Sequence, residues 1–397
     1  MALVLMFGAL ALVPPAAAGL LRWARCPGWS LVGGVAAGVL LGPTIFGGVL
    51  PAQYEAIFLG GQAQQRALEA IISRQGADRI VAQRAGLDQD QIAEVARSHQ
   101  QESAKARASL KAARRARQRW LGWCTLSVVA LVLLGAGWVA EPLGRDRADR
   151  VATVSIGVWT AAIPGGAAFF FAYFLWHEPA ATAAVLASAV AVGPWVLGSI
   201  DREAANRAEL GGARLVGTAG RIATVLGTLL AAWGMWSAKG IGGLAAAAVL
   251  AASAAAWLRR PSPGRFAGVV IHHLLLPVMA ALAVLRINLH ELSLGAMGPI
   301  VLILLLSGDG RWLGAFAGAM LPGGRRGLRT MRLVLGSMAA GPTQLAFATV
   351  AAHTQSIRAD FVLALVLGAV LIEVTAPTRR SMARRLAQLE DQVIDEG

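Results

Sequence analysis

The amino-acid sequence predicts an all-α, polytopic helical membrane protein with about eleven spans. Three observations carry this. Hydrophobic residues make up 56% of the 397 and charged residues only 15%. Apolar runs of about 20 residues recur, enough to cross a ~30 Å hydrocarbon core at 1.5 Å per residue. No segment shows the apolar–polar alternation of a membrane β-barrel.

The runs lie near residues 2–21, 29–50, 120–140, 152–174, 180–199, 213–234, 241–258, 267–286, 297–320, 332–354 and 360–377. The first lacks a basic start and carries Pro14-Pro15, so it reads as a membrane helix rather than a signal peptide. Lys and Arg gather in the loops after odd-numbered spans and in the C-terminal tail, which places those segments in the cytoplasm and the N-terminus outside. Such a chain belongs in a bacterial inner membrane. The net charge of +14 then follows from basic loops, since no nucleic-acid motif accompanies it. Cys26 and Cys124 are too few for a disulfide framework.

Four regions follow: two membrane helices in 1–51, an extramembrane insertion in 52–119, a membrane domain in 120–378 and a tail in 379–397. The insertion holds twelve Lys or Arg yet falls on the outer side by alternation; a loop this long crosses largely regardless of charge. It has no proline after Pro51 and is rich in Ala, Gln, Arg and Glu, so it should be helical. Gly86 and Asp88 predict a turn and an N-cap, giving a hairpin whose second arm leads into span 3. Its apolar residues are too sparse for a heptad seam. A solvated insertion and a self- or partner-binding arm both remain open.

Helix breakers recur inside the apolar runs: Gly42-Pro43, Pro164-Gly165-Gly166, Gly193-Pro194, Pro277 and Gly341-Pro342. Irregular backbone at membrane depth survives only against protein or a water-filled cavity. Broken helices at corresponding places in two halves of a chain mark a transport site. Gly and Pro are also simply commoner in membrane helices, which is the plain alternative.

The order of these motifs resembles the monovalent cation/proton antiporter, or sodium/hydrogen exchanger, family. "VGGVAAGVLLGPTIFG" resembles its GxxxGxxxGP entry, and Pro164 onward its Pro-x-x-Gly helix start. Val192-Gly193-Pro194 matches its interrupted helix, "PVMAALAVLRINL" its later Leu-Arg-Ile element, and Arg311 in "SGDGRWLGAFAG" its buried base. "GSMAAGPTQLAFATVA" and "VLIEVTAP" resemble its last two helices. The resemblance covers about three quarters of the chain and implies an antiporter-like fold exchanging a monovalent cation for protons. It also allows a homodimer.

The departures are as informative. The family's ion-binding Asp pair falls on Leu226-Gly227, and no Asp or Glu occurs from Leu210 to His290. A carboxylate is the group whose pKa can be tuned to hold a cation and a proton in turn. Val192 also replaces the hydroxyl residue of the interrupted turn, and two helices of the family pattern are missing. Two alternatives therefore stand beside cation/proton antiport: a non-transporting scaffold or sensor, and an anion transporter using Arg311.

Arg311 is always charged, and a central membrane arginine costs at least about 2.5 kcal/mol. Asp309, Glu373, backbone carbonyls at the Gly-Pro breaks and a bound anion are the partners the sequence offers. A polar loop at Gly308-Asp309-Gly310-Arg311 is the alternative. The transport-site candidates are thus Val192, Gly193, Pro194, Asp309, Arg311, Gly341, Pro342 and Glu373. His272-His273 and His353 read as interfacial. No metal-ligand spacing, cofactor motif or nucleophile–base arrangement appears, so no enzyme, metal or cofactor is expected.

Overall fold

Residue after residue of the segment "LPVMAALAV" is buried, so α9 (Leu276–Val284) sits at the centre of a helical bundle. A helix that is apolar on every side requires such a place. Around it stand α1 (Ala2–Trp23), α2 (Trp29–Leu41), α12 (Gly341–Thr354) and α13 (Ala359–Asp395), with α6 (Gln89–Ala136) against its flank. The computed structural model describes residues 2–84, 89–136, 147–198, 269–320 and 341–395; within them the regular structure is helical throughout.

Six of the described helical stretches are long and apolar enough to cross a membrane: Ala2–Trp23, Trp29–Val49, Val158–Leu175, Ile271–Glu291, Leu294–Met320 and Ala359–Arg379. Ala180–Ala191 is a shorter apolar stretch. Among the described residues six of the expected eleven runs are thus met at full length. The runs at 213–234 and 241–258, with Leu226-Gly227, lie outside the described residues, as do residues 137–140 and 332–340 of two others. Large apolar side chains such as Val4, Leu12, Phe174 and Leu313 are exposed, which suits a surface facing lipid.

Two glycine ladders set the packing. Gly34, Gly38 and Gly42 lie against Pro277, Ala281 and Leu285 in rising order, so α2 and α9 run in the same direction. The motif "GGVAAGVLLGP" is thus a contact surface: small residues every fourth position let two backbones approach. Gly310, Gly314 and Gly318 lie against Pro164, Thr160 and Ile156, in falling order. That pairs α11 (Arg311–Met320) antiparallel with α7 (Arg147–Phe170).

The hairpin consists of α5 (Gln62–Arg84) and the outer half of α6, a single helix of 48 residues that continues into the apolar segment after Arg119. Between the membrane helices and α5 come α3 (Phe46–Val49), α4 (Pro51–Tyr54), a π-turn at Glu55–Leu59, and Gly60-Gly61 with φ of +75° and +84°. Only glycine holds two such angles in succession cheaply. Arg114 donates from Nη2 to Gln65 Oε1 at 2.8 Å, and Gln75 Nε2 to the His99 carbonyl at 2.8 Å, tying the arms together.

Candidate functional site around Arg311

Leu294–Met320 is one apolar stretch, and the "SGDG" interruption within it is a π-turn at Leu306–Gly310 between α10 (Met297–Leu305) and α11. The expected alternative of a polar loop is not found. A π-turn inserts one extra residue into the ladder and shifts the faces that follow, a feature frequent at functional sites. Here Gly310 fits against Pro164, and Ser307 and Arg311 are both buried.

Arg311 is 1% exposed, the largest fully buried side chain described. Its Nη2 donates to the Val190 carbonyl of α8 (Ala180–Gly198) at 2.8 Å, and its Nε has no partner. Among the described residues no carboxylate pairs with it; the described ion pairs join Arg358 to Glu178 and Asp360. Asp309, expected as a partner, is exposed and lines an apolar groove of about 520 Å³ between α10 and α13, with Val301, Leu305, Leu371 and Val374.

The acceptor on α8 has a definite origin. Pro194 has no N–H, so the carbonyl four residues earlier, that of Val190, loses its helical donor. Arg311 supplies the missing bond. The expectation that a carbonyl at a Gly-Pro break serves Arg311 is met, but the expected unwinding is not: the backbone of α8 stays helical through Val192, Gly193 and Pro194. A lost bond that is replaced from another helix leaves no reason to unwind. Pro277 repeats the device. In the π-turn Ile271–Leu275 the Leu276 N–H donates to the Ile271 carbonyl five residues back, and in that register the donor for His272 would be Pro277, which has none. Ser30 Oγ donates to that carbonyl at 2.8 Å instead.

Gly341 and Pro342, expected as the second break, are helical, the first described residues of α12. Gly341 is buried against the Ala369 carbonyl, and a Cβ there would stand 3.4 Å from Glu373 Oε2. Glu373 is half-buried beside Gly341 and makes no described bond to Arg311.

One turn further along α12, Gln344 is fully buried. Its Nε2 donates to Ser307 Oγ at 3.0 Å and to the Leu365 carbonyl at 2.9 Å, while its Oε1 has no partner. Gly368 of α13 leaves the room: a Cβ there would fall 2.8 Å from Gln344 Nε2. Ser307 and Gln344 are the residues that reading the sequence missed. The available signal was a lone amide in an apolar span, two residues after a Gly-Pro pair.

The eight expected positions therefore divide. Val192 to Pro194 stand on α8 just beyond the acceptor of Arg311, and Glu373 lies beside Gly341, which Pro342 follows on α12. Asp309 is turned away from Arg311. Ser307 links the segments, on the π-turn beside Arg311 in sequence and bonded to Gln344 in space. The arrangement offers a buried, permanently charged donor with unused capacity, and no described acid on it. Neither comparison with protein-family models nor comparison with curated proteins gives a match for this chain.

Proposed function

We propose that this protein is a secondary membrane transporter of antiporter-like build whose substrate is a small anion held by Arg311. The observation that carries the proposal is a guanidinium buried to 1% exposure with a backbone carbonyl as its described acceptor and a free Nε. Guanidinium has five N–H donors and no accessible neutral form. A buried arginine without an acid is costly, and an anion from solution offsets that cost by charge pairing and by using the spare donors. Ser307, four residues before Arg311, and Gln344, which bonds it, are neutral polar groups that add no competing charge.

Cation/proton antiport, implied by the order of motifs, is the second reading. It needs a carboxylate at the site, and Asp309 and Glu373 are the acids that the sequence offered for it. The unbroken course of α8 through Gly193-Pro194 favours a third, a non-transporting scaffold. The protein's seat is a bacterial inner membrane, with the N-terminus and hairpin outside, the tail after Pro377 in the cytoplasm, and a homodimer as the assembly the resemblance allows. Its cargo, not a cofactor or nucleic acid, is its partner.

Flux in sealed proteoliposomes tests the assignment. A chloride or nitrate gradient should drive movement that Arg311→Gln removes. Proton flux driven by Na⁺, K⁺ or Li⁺ and independent of the anion would overturn it in favour of antiport. No flux of either kind would leave the scaffold.

A further inference from the structure

We propose that the outer half of α6 is a docking ridge for anionic phospholipid headgroups. From Ser103 to Ala140 the sequence carries seven Lys or Arg and no Asp or Glu. Two of the seven are turned to the hairpin: Arg114 bonds Gln65, and Arg117 packs over Gly60. The other five, Lys105, Arg107, Lys111, Arg115 and Arg119, are exposed and make no hydrogen bond or ion pair with described residues.

Four of these five fall at four-residue steps, Arg107, Lys111, Arg115 and Arg119, and the next step is Trp123. Such a row forms one ridge that winds slowly around a helix. It lies away from the half-buried side made by Leu110, Ala113 and Arg117, which packs at Gly60-Gly61 just before α5. Trp120 is 54% exposed and Trp123 67%, at the point where α6 turns from charged to apolar. Exposed tryptophans at such a junction mark the headgroup level.

The continuity of the helix then sets heights. Because α6 is unbroken, Arg115 and Lys111 stand about 6 Å and 12 Å beyond Arg119 along its axis. The polar layer on each side of a bilayer is some 5–8 Å thick, and arginine and lysine extend several ångströms toward the charge they seek. Arg119, Arg115 and Lys111 therefore reach phosphates directly. Arg107, about 18 Å out, adds only the longer-range attraction that salt screens over roughly 8 Å. An acidic protein would need no alignment with the tryptophans; a lipid surface does. The ridge rests on α6 alone and is independent of what Arg311 binds.

The test uses the full-length protein in nanodiscs of phosphatidylcholine with about 30% phosphatidylglycerol, with co-purifying lipid counted by native mass spectrometry. The wild type should retain phosphatidylglycerol in preference to phosphatidylcholine. The triple variant Lys111→Gln, Arg115→Gln, Arg119→Gln should lose at least about tenfold of that preference. Exchanging the same three residues between Lys and Arg should keep it, which separates loss of charge from misfolding. Arg66→Gln with Arg74→Gln, on the other arm, should leave it unchanged. Equal retention of the two lipids by the wild type, or an unchanged preference in the triple variant, overturns the proposal.

Discussion

Arg311 of α11 bonds the one carbonyl of α8 that Pro194 leaves without a helical donor, that of Val190. A proline in one helix and a charge in another thus complete each other. The relationship explains how α8 carries Gly193-Pro194 without unwinding, and why the buried guanidinium points where it does.

The pair should be energetically coupled. Pro194→Ala restores an N–H that can serve Val190, so removing Arg311 should then leave no orphaned carbonyl. In the wild-type background Arg311→Met should carry an extra penalty of about 1–2 kcal/mol, absent when Pro194→Ala is already in place. Thermal unfolding of the four proteins in detergent measures it. Strict additivity would show that Arg311 and Val190 do not share a meaningful bond.

Gln344 should matter through its two donors. Gln344→Leu removes the donor that Ser307 Oγ and the Leu365 carbonyl receive, and a loss of about 1–2 kcal/mol is expected. Gly368→Ala should cost about 1–3 kcal/mol by forcing a methyl into Gln344 and Ser307. Unfolding midpoints at or above wild type for both variants would contradict a shared buried network.

The glycines of the bundle should divide sharply. A Cβ at Gly318 would fall 2.5 Å from Ile156 Cα, whereas one at Gly166 meets nothing within 4 Å. Gly318→Ala should therefore destabilise by ~1–3 kcal/mol, and Gly166→Ala should be neutral or stabilise by up to ~1 kcal/mol. Equal effects at the two positions would mean that α7 and α11 are not in backbone contact.

Orientation is accessible to labelling. Single cysteines at Ser98 on the hairpin and Ser381 beyond Pro377 are both at exposed positions. An impermeant thiol reagent on intact cells should modify the first and spare the second, after Cys26 and Cys124 are replaced by Ser. The reverse pattern would place the basic hairpin in the cytoplasm.

Composition and apolar run length determined that this chain is helical and suited to a membrane, because crossing ~30 Å of hydrocarbon demands about 20 apolar residues in a row. Two helical arms before Arg119 and the burial of a charge at Arg311 were also legible, the first from helix-forming composition, the second from one arginine inside an apolar run, whereas the Gly86–Asp88 turn signal lies outside the described residues. The sequence marked Gly193-Pro194 as a break as well. What it lacked was the partner across space. A proline removes a local hydrogen bond, and whether the helix then unwinds depends on a donor 121 residues away in sequence, from Val190 to Arg311. The same distance problem hid Gln344 and Ser307, whose bond spans 37 residues and is held open by the missing side chain of Gly368. It also reversed the reading of Asp309. Proximity in sequence made Asp309 a partner for Arg311, but the π-turn leaves it exposed beside an apolar groove while Arg311 is buried. Local propensity could fix each helix; only packing decided which orphaned groups meet.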